Sequence, residues 1–295
     1  MNIAIIGAGP AGIAAAIQLK RYGIEPLIFE KAELGGLLPN ANLIENYPGF
    51  PKGISGPGLL KLFKKQFSRH QLNIIPQEVL TLDYKEHLFF LRTATGWLKA
   101  KKVIVATGTL PKTNFLKQVP SEIKDKIFYE ITTLKKKKKG HVIIIGAGDA
   151  AFDYALNLAG RHTITILDKN EQAKCLPLLW QRAQKHQKIN YFNHYSVQDI
   201  QLKNPSQFLV TCYNKENSSQ VLKANYILSA IGRKPALEFI GQKLAANLDE
   251  VIQTKKLFMI GDVANDLYRQ TAICVGDGVK AAMGIYQSLT KELLY

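Results

Sequence analysis

The sequence predicts an α/β fold made of two Rossmann-like, three-layer dinucleotide-binding domains, the second inserted into the first. Three observations predict it. A glycine-rich turn between an apolar strand and a helix occurs twice, starting at Gly7 and again at Gly146. Each turn is followed by a second apolar strand ending in a carboxylate, and two segments of strand, small-residue turn and proline bracket the second copy.

In the first copy an apolar strand, Ile3 to Ile6, runs into GAGPAG and a helix that extends towards Gly23. Gly7 permits the tight turn, Gly9 lets a pyrophosphate approach the backbone, and Gly12 lets the helix pack closely on the strand. Pro10 and Ala11 lie in the first turn of the helix, whose free N–H groups and dipole favour an anion. The next strand, PLIFE, ends at Glu30, eighteen residues after Gly12, where a carboxylate can accept hydrogen bonds from a ribose.

The second copy, HVIIIGAGDAAFDYALNLAG, places Gly146, Gly148 and Ala151 at GxGxxA spacing, with Asp149 and Ala150 between them. Its following strand, TITILD, ends at Asp168, twenty residues after Gly148. An acid there suits the free 2′-hydroxyl of NADH and repels the 2′-phosphate of NADPH, although the adjacent Lys169 offsets part of that repulsion. NADH is therefore expected over NADPH.

VIVATGTLP, which contains Ala106, Thr107 and Gly108, and YILSAIGRKP, which contains Gly232 and Arg233, read as the strands on which the chain crosses between domains. The outer domain is expected to comprise residues 1–113 and 232–295, and the inserted domain residues 114–231. A chain of 295 residues is long enough for both. Its 46% hydrophobic and 21% charged residues fit an ordinary globular protein, and no apolar run reaches the length of a membrane span. The chain opens directly on an apolar strand, which predicts no leader segment and a cytoplasmic location.

Cys175, Cys212 and Cys274 are odd in number and far apart, which argues against a disulfide framework or a four-cysteine zinc site. The six histidines show no metal-ligand spacing, and no metal is expected. The net charge is +16, only five charges of which come from the run Lys135 to Lys139. Such a field attracts an acidic protein, a nucleic acid or an anionic membrane, and no nucleic-acid-binding motif accompanies it.

Along its full length the chain resembles the low-molecular-weight thioredoxin reductases, flavoproteins with two dinucleotide folds. The motifs that carry the resemblance are GAGPAG with Glu30, the segment LGGLLPNANLIENYPGFPKGISGPGL from Leu34, ATG at 106–108, the second glycine motif and IGRKP at 231–235. The most specific is MIGDVANDLYRQTAICVGDGVKAA, Met259 to Ala282. The resemblance implies FAD in the outer domain and a nicotinamide nucleotide in the inserted one. In the family the segment from Leu34 wraps the flavin and the acid after Gly261, here Asp262, bonds the ribityl and phosphate region. Arg269, Gln270, Thr271 and Ala272 correspond to the stretch that meets the isoalloxazine. The resemblance also places Lys31, Gly36, Leu37, Asn46 and Val79 at the FAD. Gly276 and Gly278 agree on physical grounds, since a glycine inside a helix costs about 0.8–1 kcal/mol relative to alanine unless something must come close.

Three departures from the family pattern bear on function. Where thioredoxin reductases carry CxxC, this chain reads YEITTLKKKKKGH, with Ile131 to Leu134 in the approximate place. The family's His-Arg-Arg becomes Asp168, Lys169 and Asn170, and its Gly-Gly-Gln becomes Gly35, Gly36 and Leu37. The nearest resemblance is then to the ferredoxin and flavodoxin NAD(P) reductases of the thioredoxin reductase type, whose second glycine motif GAGDAAFDYAL is similar to. The expectation is an FAD-dependent NAD(P)H oxidoreductase with no catalytic side chain, passing electrons directly to an acidic ferredoxin or flavodoxin. A homodimer is compatible with this. Two alternatives stay open: a disulfide or persulfide reductase working through Cys274 alone, and a non-catalytic flavin- or nucleotide-binding sensor. Tyr295 is read as a frayed terminus rather than a flavin-stacking residue.

Overall fold

The computed structural model describes residues 2–114 and 121–292, so Tyr295 lies outside the described residues. The chain divides into two compact units, one of residues 2–39, 44–110 and 234–292, the other of residues 40–43 and 111–233. Residues 40–43 were expected in the first unit and group with the second. The Asn40 side-chain oxygen accepts the Ile131 N–H at 2.9 Å, and the Asn42 N–H donates to Asp153 at 2.9 Å.

The first unit is built on a parallel sheet in the order Leu257–Met259, Lys102–Val105, Ile3–Ile6, Leu27–Phe29, Ile74–Ile75. Every residue of Ile3–Ile6 is buried, as a central parallel strand covered on both faces requires. The second unit repeats the plan with Ile189–Phe192, Thr163–Leu167, His141–Ile145, Tyr226–Ser229 and Ile127–Phe128, also parallel. In both, the strand that leads into a glycine turn is central.

Strand periodicity sorts the core into layers. Val142 and Ile144 face the cluster that contains Phe152, Ala155 and Leu158 of the helix Asp149–Leu158. Ile143 and Ile145 face the opposite cluster with Ile200, Phe208 and Val210 of a three-stranded antiparallel sheet. The first unit has a matching antiparallel sheet, whose Leu82, Phe89 and Leu91 pack with Ala4, Ile6, Val103 and Val105. Three layers per unit are the fold class that the sequence predicts. Among the described residues no helix is long and apolar enough to cross a membrane.

One core residue has a pH consequence. His162 is fully buried, edge-on to Tyr226 at 5.7 Å, and neither ring nitrogen makes a hydrogen bond of full geometry, although the Gly140 backbone lies near. Burial first, and then the Arg161 charge, push its pKa down. The neutral ring is therefore favoured in the folded state. Its contribution is complete above the unfolded value of about 6.5 and is lost as pH falls towards the folded one. Thermal melts between pH 7 and pH 5 should show a steeper loss for the unmodified protein than for His162→Phe. Parallel losses would remove His162 from the account.

Candidate functional site

In the first unit Gly7 has φ 102° and donates its N–H to Phe29 O at 2.8 Å, while a Cβ there would lie 2.8 Å from the carbonyl carbon of Ala106. Only glycine turns under the neighbouring strand at this point. Gly9 caps the helix Pro10–Arg21 and has nothing within 4 Å of its Cβ position, so the helix start opens onto free space. Pro10 presets the first helical turn. Gly12 lies against Gly7, where a Cβ would meet the Gly7 carbonyl.

Glu30 accepts the Ala8 N–H at 2.7 Å through Oε2 and the Ala32 N–H at 2.9 Å through Oε1, which leaves each oxygen a lone pair for a ribose hydroxyl. The Gly35 N–H donates to Ala8 O at 2.8 Å, and a Cβ on Gly36 would sit 3.3 Å from the Gly9 Cα. The segment containing Gly36 and Leu37 is thus folded onto the glycine turn. The open cradle at Gly9, the helix N-terminus and the Glu30 carboxylate together fit an adenine dinucleotide.

Other predicted residues converge on the same unit. The Asn46 side-chain amide donates to Gln270 Oε1 at 2.9 Å, joining positions 224 residues apart. Thr107, between Ala106 and Gly108, donates its hydroxyl to Ala236 O at 2.8 Å. Gly261 turns at φ 70° ahead of Asp262, and Thr271 and Ala272 begin the helix Thr271–Glu292 just after Arg269 and Gln270. Asp277, which the sequence reading passed over, accepts the Gly261 N–H at 3.1 Å and the Asn265 amide at 2.6 Å, so it fixes the turn that presents Asp262. Its only sequence signal is its place between Gly276 and Gly278.

Two of the predicted residues have side chains engaged elsewhere. Val79 is 5% exposed and its side chain belongs to the core with Phe29 and Leu82, which leaves only its backbone to meet a ligand. Lys31 forms an exposed ion pair with Glu78 at 2.9 Å.

The second unit repeats the construction. Gly146 has φ 108°, donates to Leu167 O at 2.9 Å, and a Cβ on it would lie 2.5 Å from Ala230 O. Gly148 caps the next helix with only Lys174 O, 3.8 Å away, near its Cβ position. Ala151 is fully buried, and Ala150 is exposed in the first turn. Asp149 accepts the Leu176 N–H at 2.7 Å and so holds the chain ahead of the helix Pro177–Gln184. Gly232 turns at φ 111°, and Arg233 pairs with Glu130 at 3.5 Å.

The reading of Asp168 needs correction. It stands at the end of its strand as expected but is 2% exposed. Its Oδ1 accepts the Asn170 N–H and side-chain amide, each at 2.9 Å, and its Oδ2 accepts the Tyr191 hydroxyl at 3.0 Å. Burial, and then the bond to Asp168, push the Tyr191 pKa up. The carboxylate takes three internal donors and is almost wholly withdrawn from solvent, whereas Lys169 beside it is exposed. The preference for NADH drawn from Asp168 loses its geometric basis.

All three cysteines are free. Cys274 is buried and donates to Asp262 Oδ1 at 3.2 Å; burial first, then the Asp262 charge, push its pKa up. Burial raises Cys212 to about 11, and burial with the Asp149 charge raises Cys175. Ile131 and Leu134, in the approximate place of CxxC, are fully buried core residues.

Residues 1–278 match the model of the pyridine nucleotide-disulphide oxidoreductase family. The chain belongs to this family. It is 27% identical to a thioredoxin reductase of Chlamydia pneumoniae over 306 residues, covering 96% of each chain. The solved thioredoxin reductase of Lactococcus lactis superposes with a TM-score of 0.86 at 24% identity, covering 98% of this chain and 99% of that one. That of T. acidophilum gives 0.84 at 25%, covering 98% of each. This family member is a flavoprotein oxidoreductase of the thioredoxin reductase type, in agreement with the resemblance read from the motifs.

Proposed function

We propose that the chain is an FAD-dependent NAD(P)H oxidoreductase without a redox-active disulfide, which delivers electrons directly to an external carrier, a ferredoxin or flavodoxin. When bound, FAD would supply hydride acceptance from the nicotinamide and release of electrons one at a time. The residues' part is to bind and orient. The first glycine turn and Glu30 receive the dinucleotide, and the start of the helix Thr271–Glu292 offers a positive dipole end beside Arg269. The second glycine turn receives the nicotinamide nucleotide.

The observation that carries this reading is the state of the thiols. Dithiol exchange needs one thiolate to attack and a second thiol to resolve. The cysteines here are separated by 37 and 62 positions (212 − 175 and 274 − 212), and all three pKa values are pushed up rather than down. Raised values also weigh against the single-cysteine reductase, because the thiolate is the nucleophile.

Anaerobic titration of the purified protein with NADH and with NADPH, followed by the flavin spectrum, tests the reading. The yellow protein should bleach, and Cys274→Ser should bleach as fully and retain turnover with an external acceptor. Protein that is colourless and cannot be reconstituted with FAD would refute FAD binding, and a flavin that neither nucleotide reduces would favour the sensor. Lost acceptor reduction in a flavin-loaded Cys274→Ser protein would restore the thiol mechanism.

A further inference from the structure

We propose that the outward face of the helix Gly56–Arg69, through Lys61, Lys64, Lys65 and Arg69, is the surface on which an acidic electron-carrier protein docks; this rests on the reading of direct delivery to such a carrier. The helix is GPGLLKLFKKQFSR, with four cations and no carboxylate in 14 residues. Lys61, Lys64 and Lys65 stand three and four positions apart and Arg69 one turn further on, so they form one stripe, and all four are exposed. Leu59, Leu60, Phe63 and Phe67 are buried on the other side. Like charges four positions apart destabilise a helix, and Lys61 with Lys65 and Lys65 with Arg69 are both such pairs. Lys64 reaches the exposed Glu33 only at 4.0 Å, a separation at which a solvated pair gains little, so the charge of the stripe is left for a partner.

The helix is joined to the part of the unit where the flavin ring is expected. Tyr47 meets the Phe63 ring edge-on, with centroids 6.2 Å apart, and its neighbour Asn46 donates to Gln270 at 2.9 Å. Gln270 belongs to the stretch that the family resemblance sets against the isoalloxazine, so one ring contact and one hydrogen bond link the helix to that place. The start of the helix is fixed as well. Ser55 Oγ accepts the Gly58 N–H at 3.2 Å, and Leu60 fills the space in front of Gly35, beside the Gly36 that lies on the first glycine turn. Leu62 is 46% exposed and stands three positions from Lys65 and seven from Arg69, which sets an apolar side chain at the edge of the cationic stripe. An apolar contact with a charged rim is the anatomy of a protein interface, and the carboxylates of an acidic carrier complement this rim. The stripe belongs to the unit that carries the FAD cradle, whereas the lysine run belongs to the other.

Reduction of an acidic flavodoxin by the FAD-loaded protein tests the assignment. Lys61→Gln, Lys64→Gln and Lys65→Gln combined, which leave helix propensity nearly unchanged, should lower kcat/KM for the flavodoxin by about tenfold or more and flatten its dependence on salt. Lys99→Gln, Lys101→Gln and Lys243→Gln combined, at exposed lysines of the same unit, bring the net charge to the same +13 (16 − 3) and should change that kcat/KM by no more than about twofold. Arginine in place of the three helix lysines should retain flavodoxin reduction to within about twofold, since the charge is kept. Reduction of a small uncharged quinone should be alike in all of these proteins, which shows that fold and flavin are intact. Equal losses in the two glutamine variants, or no loss in the helix variant, overturn the proposal and leave direct delivery standing. A helix variant that keeps its flavodoxin rate but no longer sediments with phosphatidylserine vesicles assigns the stripe to an anionic membrane and overturns it too. A flavin that NADPH or NADH reduces but that passes electrons to neither flavodoxin nor an acidic ferredoxin overturns direct delivery, and the proposal with it.

Discussion

Replacing Gly278 by alanine should lower the melting temperature, whereas the same change at Gly276 should leave it unchanged or raise it. Both glycines lie inside the helix Thr271–Glu292, where propensity alone makes alanine the better residue by about 0.8–1 kcal/mol. Their surroundings differ. A Cβ at Gly278 would drive into the Ala11 carbonyl oxygen and lie 2.9 Å from both the Ala14 Cβ and the Ala15 N, all on the helix that starts at the first glycine turn. Backbone cannot yield as a flexible side chain does, so the two helices must separate, at a cost of about 1–3 kcal/mol or more. At roughly 2–4 °C per kcal/mol for a unit of this size, the fall should be plain in a calorimetric melt. At Gly276 a Cβ meets nothing within 4 Å, and the gain in propensity has no clash to offset it. Gly276→Ala should therefore melt at or above the temperature of the unmodified protein. A Gly278→Ala protein as stable as the unmodified one would show that the helices do not approach as closely as described.

This contrast indicates which features could be read without the fold. Gly7, Gly12, Gly146 and Gly278 answer to backbone demands that leave a mark on composition, because no other residue tolerates the turn or the approach. The alternation along His141–Ile145 and the full burial of Ile3–Ile6 likewise follow from strand geometry. Side chains whose work depends on distant partners were harder to place. Asp168 had the right position, but its direction is set by Tyr191, 23 residues away, and by Asn170. Asp277 looks like any polar helix residue until Gly261 is seen to donate to it. Residues 40–43 read as a continuation of the first unit because their association with the second depends on Ile131 and Asp153, which no local pattern announces.

The largest kinetic effect should come from salt. With NADPH or NADH as donor, the rate at which the protein reduces an acidic ferredoxin or flavodoxin should fall by about tenfold or more as salt rises from about 0.1 M to about 1 M, because the Debye length shortens from about 10 Å to about 3 Å. Opposed net charges speed encounter and orient partners, and a chain of charge +16 is strongly opposed to an acidic carrier. Reduction of a small uncharged acceptor by the same preparation should change little, which separates an effect on docking from one on nucleotide binding. The lysine run allows a local test. Lys136 to Lys139 are exposed, whereas Lys135 is half-buried and burial lowers its pKa despite the nearby Asp153 carboxylate. Replacing the four exposed lysines by glutamine lowers the net charge from +16 to +12 (16 − 4). If that loop is at the docking face, the change should flatten the salt dependence well beyond what four neutralised lysines elsewhere on the chain achieve. An equal flattening from both sets would assign the steering to the diffuse field of the whole molecule. A rate indifferent to salt, or activity confined to thioredoxin-like disulfides, would refute direct delivery to an acidic carrier.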